Sequence, residues 1–321
     1  MSNFAISAQH LARSFGETHA LVDVSLDIPA GSVCALLGRN GAGKTTTVRI
    51  LTTLLDPDDG HAQVAGFDIA SQADRVRERI GVTGQTATMD ELLTGHENLE
   101  IIGRFSHLGA AVSRQRADEL LQQFDLVDAG RMLVKKYSGG MRRRLDLAAS
   151  LIANPEVLFL DEPTTGLDPV ARSEMWVAIR NLVARGTTVL LTTQYLDEAD
   201  QLADTIVVVD RGLVVAEGTP EQLKASIGRP SVVVTLVDAD PAALLKVRTA
   251  LGADAVIRGR SVSAPAADGL ESLAKVVTLL EELGVPIHEV GLEHPSLDEV
   301  FSAVTHRIGD HSPVAPAEIP A

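Results

Sequence analysis

Ser32-Val33-Cys34-Ala35-Leu36-Leu37-Gly38-Arg39-Asn40-Gly41-Ala42-Gly43-Lys44-Thr45 is the stretch whose reading decides the fold. Ser32–Leu37 is a short apolar run and reads as a buried strand, while the pattern from about Gly43 to Leu54 reads as a helix. Between them, Gly38 to Thr45 fit G-x-x-x-x-G-K-[ST], the phosphate-binding P-loop. Glycines let the backbone wrap until successive N–H groups face phosphate oxygens. The N-terminus of the next helix adds a partial positive charge. Lys44 is placed to pair with the β- and γ-phosphates, and Thr45 to ligate Mg²⁺, with Thr46 beside them in the phosphate cradle. The loop therefore predicts ATP and Mg²⁺ as cofactors.

Val157-Leu158-Phe159-Leu160-Asp161-Glu162 is a second apolar run, and it ends in two carboxylates. At the end of a buried strand in the same domain as a P-loop, Asp161 can hold Mg²⁺ directly or through water. Glu162 can polarise the attacking water, as phosphoryl transfer requires. Without the P-loop the pair would read equally well as two solvated acids.

Thr187–Leu191 and Thr205–Val209 are further short strands. Strands alternating with helical patterns over the first 220 or so residues predict a mostly parallel sheet in an α/β domain, here residues 1–222. Between about Thr86 and Asn154, Leu92, Leu99, Ile102, Phe105, Leu120, Leu121, Phe124 and Leu126 recur at helical spacing. They predict a helical subdomain inserted in the α/β core, over about 86–154.

Composition changes after Gly218-Thr219-Pro220. Ser231–Val237 reads as a strand, Asp268–Leu283 as a helix and Val285–Val290 as another strand, with a capping box at Ser296-Leu297-Asp298-Glu299. These predict a small α+β accessory domain over 225–306. The segment 309–321, with Pro313, Pro316 and Pro320, reads as a disordered tail.

The chain has 321 residues, 28 basic and 43 acidic, for a net charge of −15. Such a surface repels nucleic acid and anionic lipid, which bind through basic patches, so no nucleic-acid partner is expected. No apolar run approaches the ~20 residues of a membrane span, so any membrane contact must come through another chain. The one cysteine, Cys34, reads as a small buried hydrophobe, and this usage fits the cytosol. Met175 and Trp176 read as packing residues on a helix. Arg142, Arg143 and Arg144 read as a solvated helix face with local ion pairs, though contact with phosphates across a dimer or with a membrane subunit is the alternative.

Tyr137-Ser138-Gly139-Gly140-Met141 narrows the function. A Ser-Gly-Gly run opening a helix makes a second anion-binding terminus. One chain has no need of two such termini for one γ-phosphate, whereas a dimer does: the second terminus of one copy closes over the nucleotide of the other.

At this point the sequence resembles the ABC ATPase family. The family signature is usually Leu-Ser-Gly-Gly-Gln; Ser138-Gly139-Gly140 is kept, with Tyr137 and Met141 at the outer positions. The resemblance implies that Phe15 stacks on adenine, that Gln85 touches Mg²⁺ and water and senses the transmembrane partner, and that Asp168 in Gly166-Leu167-Asp168 communicates across the dimer. Where the family usually has a histidine at the γ-phosphate, this chain has Gln194. Its amide can donate a hydrogen bond but carries no charge, so hydrolysis should persist but slowly; a simple polar helix-entry residue is the alternative.

Val82-Thr83-Gly84-Gln85, Leu93 to Leu99, Tyr137 to Arg144 and Thr192 to Ala203 are similar to the daunorubicin/doxorubicin-resistance subgroup of bacterial drug-export ATPases, as is Ser296 to Phe301. That resemblance implies an ATPase motor acting as a homodimer through its nucleotide sites. It also implies a separate transmembrane permease subunit and a peripheral place on the cytoplasmic face of the cell membrane. A soluble ABC ATPase of translation or repair is the alternative, although those usually carry two cassettes or a long coiled-coil insert. The same motor exporting a lipid, glycolipid or peptide is another, since no residue here reads the cargo.

Overall fold

The computed structural model describes residues 4–84, 89–228, 230–266 and 268–307. They form two compact units that divide at Pro220.

The first unit opens with β1 (Phe4–Phe15), β2 (Thr18–Pro29), β3 (Val33–Leu37) and α1 (Lys44–Leu51), then β4 (Asp59–Val64), β5 (Phe67–Asp68), α2 (Ala73–Arg77) and β6 (Ile80–Thr83). A helical stretch follows: α3 (Gly95–Phe105), α4 (Ala110–Gln123), a 3₁₀ turn at Val134–Lys136, and α5 (Gly139–Ser150). The chain then returns to the sheet through β7 (Val157–Asp161), α6 (Pro169–Val183), β8 (Thr188–Thr193), α7 (Leu196–Leu202), β9 (Thr205–Asp210) and β10 (Leu213–Gly218).

The sheet order is β5-β4-β1-β2-β10-β9-β3-β8-β7-β6. The consecutive pairs β9–β3, β3–β8, β8–β7 and β7–β6 are parallel, as helical crossovers require. The other half departs from the expectation of a mostly parallel sheet. β1 pairs antiparallel with β2 and with β4, and β10 with β9. The physical reason is loop length: Phe15 pairs with Thr18 across two residues, which can only join antiparallel strands. A single bridge, Leu213 to Asp23, joins the two halves.

β3, β7 and β8 are buried at every position. Covered on both faces, they carry apolar runs, Val33–Leu37, Val157–Leu160 and Val189–Leu191, rather than alternation. Each fully buried side chain of this kind contributes roughly 1.5–3 kcal/mol. Cys34 belongs to this core at 1% exposure, and burial pushes its thiol up, so it behaves as a small hydrophobe.

The second unit contains α8 (Pro220–Ile227), β11 (Ser231–Leu236), α9 (Pro241–Leu251), β12 (Val256–Arg258), β13 (Ser261–Pro265), α10 (Leu270–Leu283), β14 (Ile287–Glu293) and α11 (Leu297–Arg307). Its antiparallel sheet runs β12-β13-β11-β14, a split β-α-β arrangement. Val232, Val234 and Leu236 alternate inward from β11 and pack with Leu244, Val247 and Leu280 of the two helices in a core of their own. Ser296 and Glu299 form a reciprocal capping box: each backbone N–H donates to the other's side chain, at 3.2 and 3.3 Å. The proline-rich segment 309–321 lies outside the described residues.

Candidate active site: a phosphate cradle and two carboxylates

Three parallel strands bring the site together. β8 lies between β3 and β7, so Leu37, Thr193, Thr192 and Asp161 stand side by side at one edge of the sheet. This is the carboxyl edge, where open α/β sheets bind ligands. The loop Gly38 to Gly43 leaves β3 there and delivers Lys44, Thr45 and Thr46 on the first turn of α1.

Gly43 sets the loop's exit. Its φ is 115°, and a Cβ would stand 2.6 Å from Leu21 Cδ2 and 2.8 Å from Ala20 O. No other residue type fits both the backbone angle and the space. Arg39, Asn40 and Gly41 are exposed, whereas Ala42 is buried. The loop is pinned by Ala42 N–H to Arg39 O at 3.1 Å and by Gly212 N–H to Ala42 O at 2.9 Å.

Lys44 is buried, and its Nζ donates to Gly38 O at 2.7 Å and Arg39 O at 3.2 Å. An ammonium has three donors, so one remains for a phosphate oxygen. Burial lowers its pKa, against the opposing pull of the Glu162 and Asp161 carboxylates.

Thr45 Oγ1 lies 3.5 Å from Asp161 Oδ2. The other carboxylate oxygen, Asp161 Oδ1, accepts from Thr192 Oγ1 at 2.5 Å. A hydroxyl and a carboxylate are hard oxygen donors of the kind Mg²⁺ takes when phosphates supply the rest of its shell, so these residues fit that ion. Glu162 has φ 50°, a left-handed conformation that costs a non-glycine residue roughly 1–2 kcal/mol. Its N–H donates to both Thr192 O and Thr192 Oγ1, each at 3.1 Å, and its Oε2 accepts from Thr165 Oγ1 at 3.3 Å.

Other predicted residues lie on adjoining elements. Phe15 is 48% exposed at the end of β1, with the Arg13 guanidinium 5.2 Å from its ring centroid. Gln194 is exposed and directly follows β8. Gln85 lies outside the described residues. Asp168 caps α6: its Oδ1 accepts from Val170 N–H at 3.0 Å and Ala171 N–H at 2.9 Å, with Pro169 at the first helical position.

Ser138 caps α5, accepting from Met141 N–H at 3.2 Å, and Gly139 and Gly140 form the first helical positions. The outlying Tyr137 has a packing reason. Its phenol donates to Ala129 O at 2.7 Å and occupies the space where a Cβ on Gly95 would sit.

Three residues gain importance that sequence reading did not assign. Thr192 ties Asp161 to Glu162; only the strand order, which places β8 beside β7, reveals it. Glu198, wholly buried on α7, accepts from Trp176 Nε1 at 3.3 Å. The third corrects an expectation. Arg142 pairs with Glu91 and Arg144 with Glu174, as a solvated basic face should. Arg143 is not part of that face: its side chain is 14% exposed and reaches the carbonyls of the β7 loop. The helical period of α5 turns it toward the sheet, while Arg142 and Arg144 stay partly exposed beside their acidic partners.

Among the described residues, no helix is long and apolar enough to cross a membrane. Comparison with known proteins gives the family. The ABC transporter family profile matches residues 21–165. A daunorubicin resistance ATP-binding protein of Streptomyces coeruleorubidus is 53% identical over 306 residues, 95% of this chain and 97% of that one. A Nod factor export ATP-binding protein of Ralstonia nicotianae is 44% identical over 218 residues, 68% of each chain. Among solved structures, a dimeric ATP-binding cassette in a post-hydrolysis state with ADP and Pi aligns at TM-score 0.60 and 25% identity. That alignment covers 67% of this chain and 98% of the cassette. With a P-loop, a carboxylate pair and a Ser-Gly-Gly helix in one α/β unit, the chain belongs to the ABC transporter family as an ATP-binding, ATP-hydrolysing subunit.

Proposed function

We propose that this chain is the motor of an exporter of drugs or other hydrophobic compounds, working as a homodimer with a separate membrane subunit. The observation that carries the reading is the meeting of Lys44, Thr45, Asp161 and Glu162 at the carboxyl ends of β3 and β7. In this reading Phe15 offers its ring to adenine, and residues Gly38 to Thr46 hold the phosphates through backbone N–H groups. The third donor of Lys44 faces the β- and γ-phosphates. Thr45 and Asp161, with Gln85, would hold Mg²⁺, which when bound offsets negative charge on the phosphate oxygens. Glu162 polarises the attacking water and receives its proton, while the Gln194 amide donates to the γ-phosphate.

Ser138, Gly139 and Gly140 of one copy complete the cage over the nucleotide of the other, and Asp168 carries the state of one site to its twin. The membrane subunit docks near Gln85 and the helical subdomain. Exposed Leu92, Phe105 and Val127 there supply apolar surface that favours such a partner. The chain would then sit peripherally on the cytoplasmic face of the cell membrane.

Glu162→Gln tests the chemistry. The amide cannot take the proton, so turnover should fall by about 10²–10⁴-fold. ATP affinity and ATP-dependent dimerisation should persist. A variant that turns over at the parent rate removes Glu162 from this role. A relative named for Nod factor export leaves room for a cargo other than a drug, and the same motor exporting a lipid or glycolipid is the second reading. ATP-driven transport of an anthracycline against a glycolipid, in vesicles carrying both subunits, separates the two.

A further inference from the structure

Arg143 lies in α5, five residues beyond Ser138, and its guanidinium donates to four main-chain carbonyls of the catalytic loops. Nε donates to Pro163 O at 2.8 Å, Nη2 to Asp161 O at 3.1 Å and Glu162 O at 2.8 Å, and Nη1 to Gly84 O at 3.0 Å. Three acceptors are consecutive residues at the end of β7, and the fourth is just beyond β6. The buried carboxylate of Asp146, 3.5 Å away on the same helix, faces Arg143 Nη1.

The geometry bears on Glu162 directly. Its left-handed backbone persists only if the surroundings over-determine it. Thr192 holds the N–H side of that residue and Arg143 holds its carbonyl. The orientation from which the Glu162 side chain departs is thus fixed by β8 on one side and by α5 on the other. α5 is also the helix that opens with Ser138-Gly139-Gly140. Only a planar fork of five donors can bridge four carbonyls on two loops; an ammonium is a point donor.

We propose that Arg143 is a positioning residue for hydrolysis: it clamps the Asp161–Pro163 main chain to the signature helix, so that the setting of α5 aligns Glu162. This rests on the reading of Glu162 as the group that polarises water. Movement of α5 relative to the sheet then changes the aim of Glu162 while Lys44 and Thr45 on α1 keep their places in the phosphate cradle.

The test measures steady-state hydrolysis and binding of a fluorescent ATP analogue by the full chain. Arg143→Ala should lower kcat by about 10- to 100-fold, the scale of a small misplacement of a catalytic group, and leave analogue affinity unchanged. Arg143→Lys should stay impaired, because it keeps the charge and loses the fork. The double variant Arg143→Ala/Asp146→Asn also removes the buried negative charge that faced Arg143, and should fold with the same kcat defect. Amide exchange over 161–165 should quicken in each. Unchanged kcat in the folded variants, full rescue by Lys, or a loss confined to nucleotide affinity would overturn the clamp. Glu162→Gln measured alongside separates the two ideas. If it loses turnover while Arg143→Ala does not, the clamp alone fails; if it keeps turnover, both fail.

Discussion

Glu198 shows how a single buried carboxylate ties stability to pH. It is wholly buried, its Oε1 accepts from the Trp176 indole, and the Thr193 and Thr164 hydroxyls and the Arg172 charge only partly offset its loss of water. Desolvation raises its pKa above the ordinary 4.5. The folded state therefore binds this proton more tightly than the unfolded chain does. Below about pH 4.5 both states hold the proton and Glu198 carries no penalty. As pH rises through the raised value, the folded state loses stability. Glu198→Gln keeps an acceptor for Trp176 and removes the charge, so it should stabilise the protein by about 1 kcal/mol at neutral pH. The gain should vanish near pH 4. Thermal unfolding of both proteins across that range checks it; an equal or lower midpoint for the variant at neutral pH would show the carboxylate is no liability.

Helix entries carry the next level of argument. Thr94 opens α3 with a capping box closed by Glu97, Ser138 opens α5 and Asp168 opens α6. Asp168 therefore has two claims on it, a cap seen in the structure and a role across a dimer proposed for it. Asp168→Ala should cost about 1 kcal/mol of folding stability through the lost cap. Asp168→Asn keeps a capping oxygen and should restore stability. Denaturant unfolding measures that part. ATP turnover measures the other: if Asn restores turnover as fully as it restores stability, capping is the whole of the Asp168 role. A turnover defect that persists in Asn assigns the carboxylate to communication.

At the scale of the molecule, the two units each have a core of their own, one around β3, β7 and β8 and one around β11, α9 and α10. A chain ending at Pro220 should therefore fold and bind ATP. We expect it to lose dimerisation or recruitment by the proposed membrane subunit, since the second unit adds a folded body with no catalytic constellation among its described residues. Sedimentation and co-purification with the membrane subunit measure this; a truncated chain that dimerises, is recruited and hydrolyses ATP normally would assign the unit to another task.

The phosphate cradle and the carboxylate pair were legible in the sequence because each is a run of consecutive residues on one strand and its exit: Gly38 to Thr45 after β3, Asp161 and Glu162 at the end of β7. The same locality made the Ser296–Glu299 cap readable, and the apolar periods marked α10 and the buried strands. Local spacing says nothing about which segments become neighbours. The tertiary structure alone placed Thr192 against Asp161, put Tyr137 into the space left by Gly95, and turned Arg143 of the basic run inward to four carbonyls. It also paired β4 with the hairpin of β1 and β2, so that β1 stands between two antiparallel partners. Those outcomes depend on strand order and helix rotation, which long-range packing decides and no motif records.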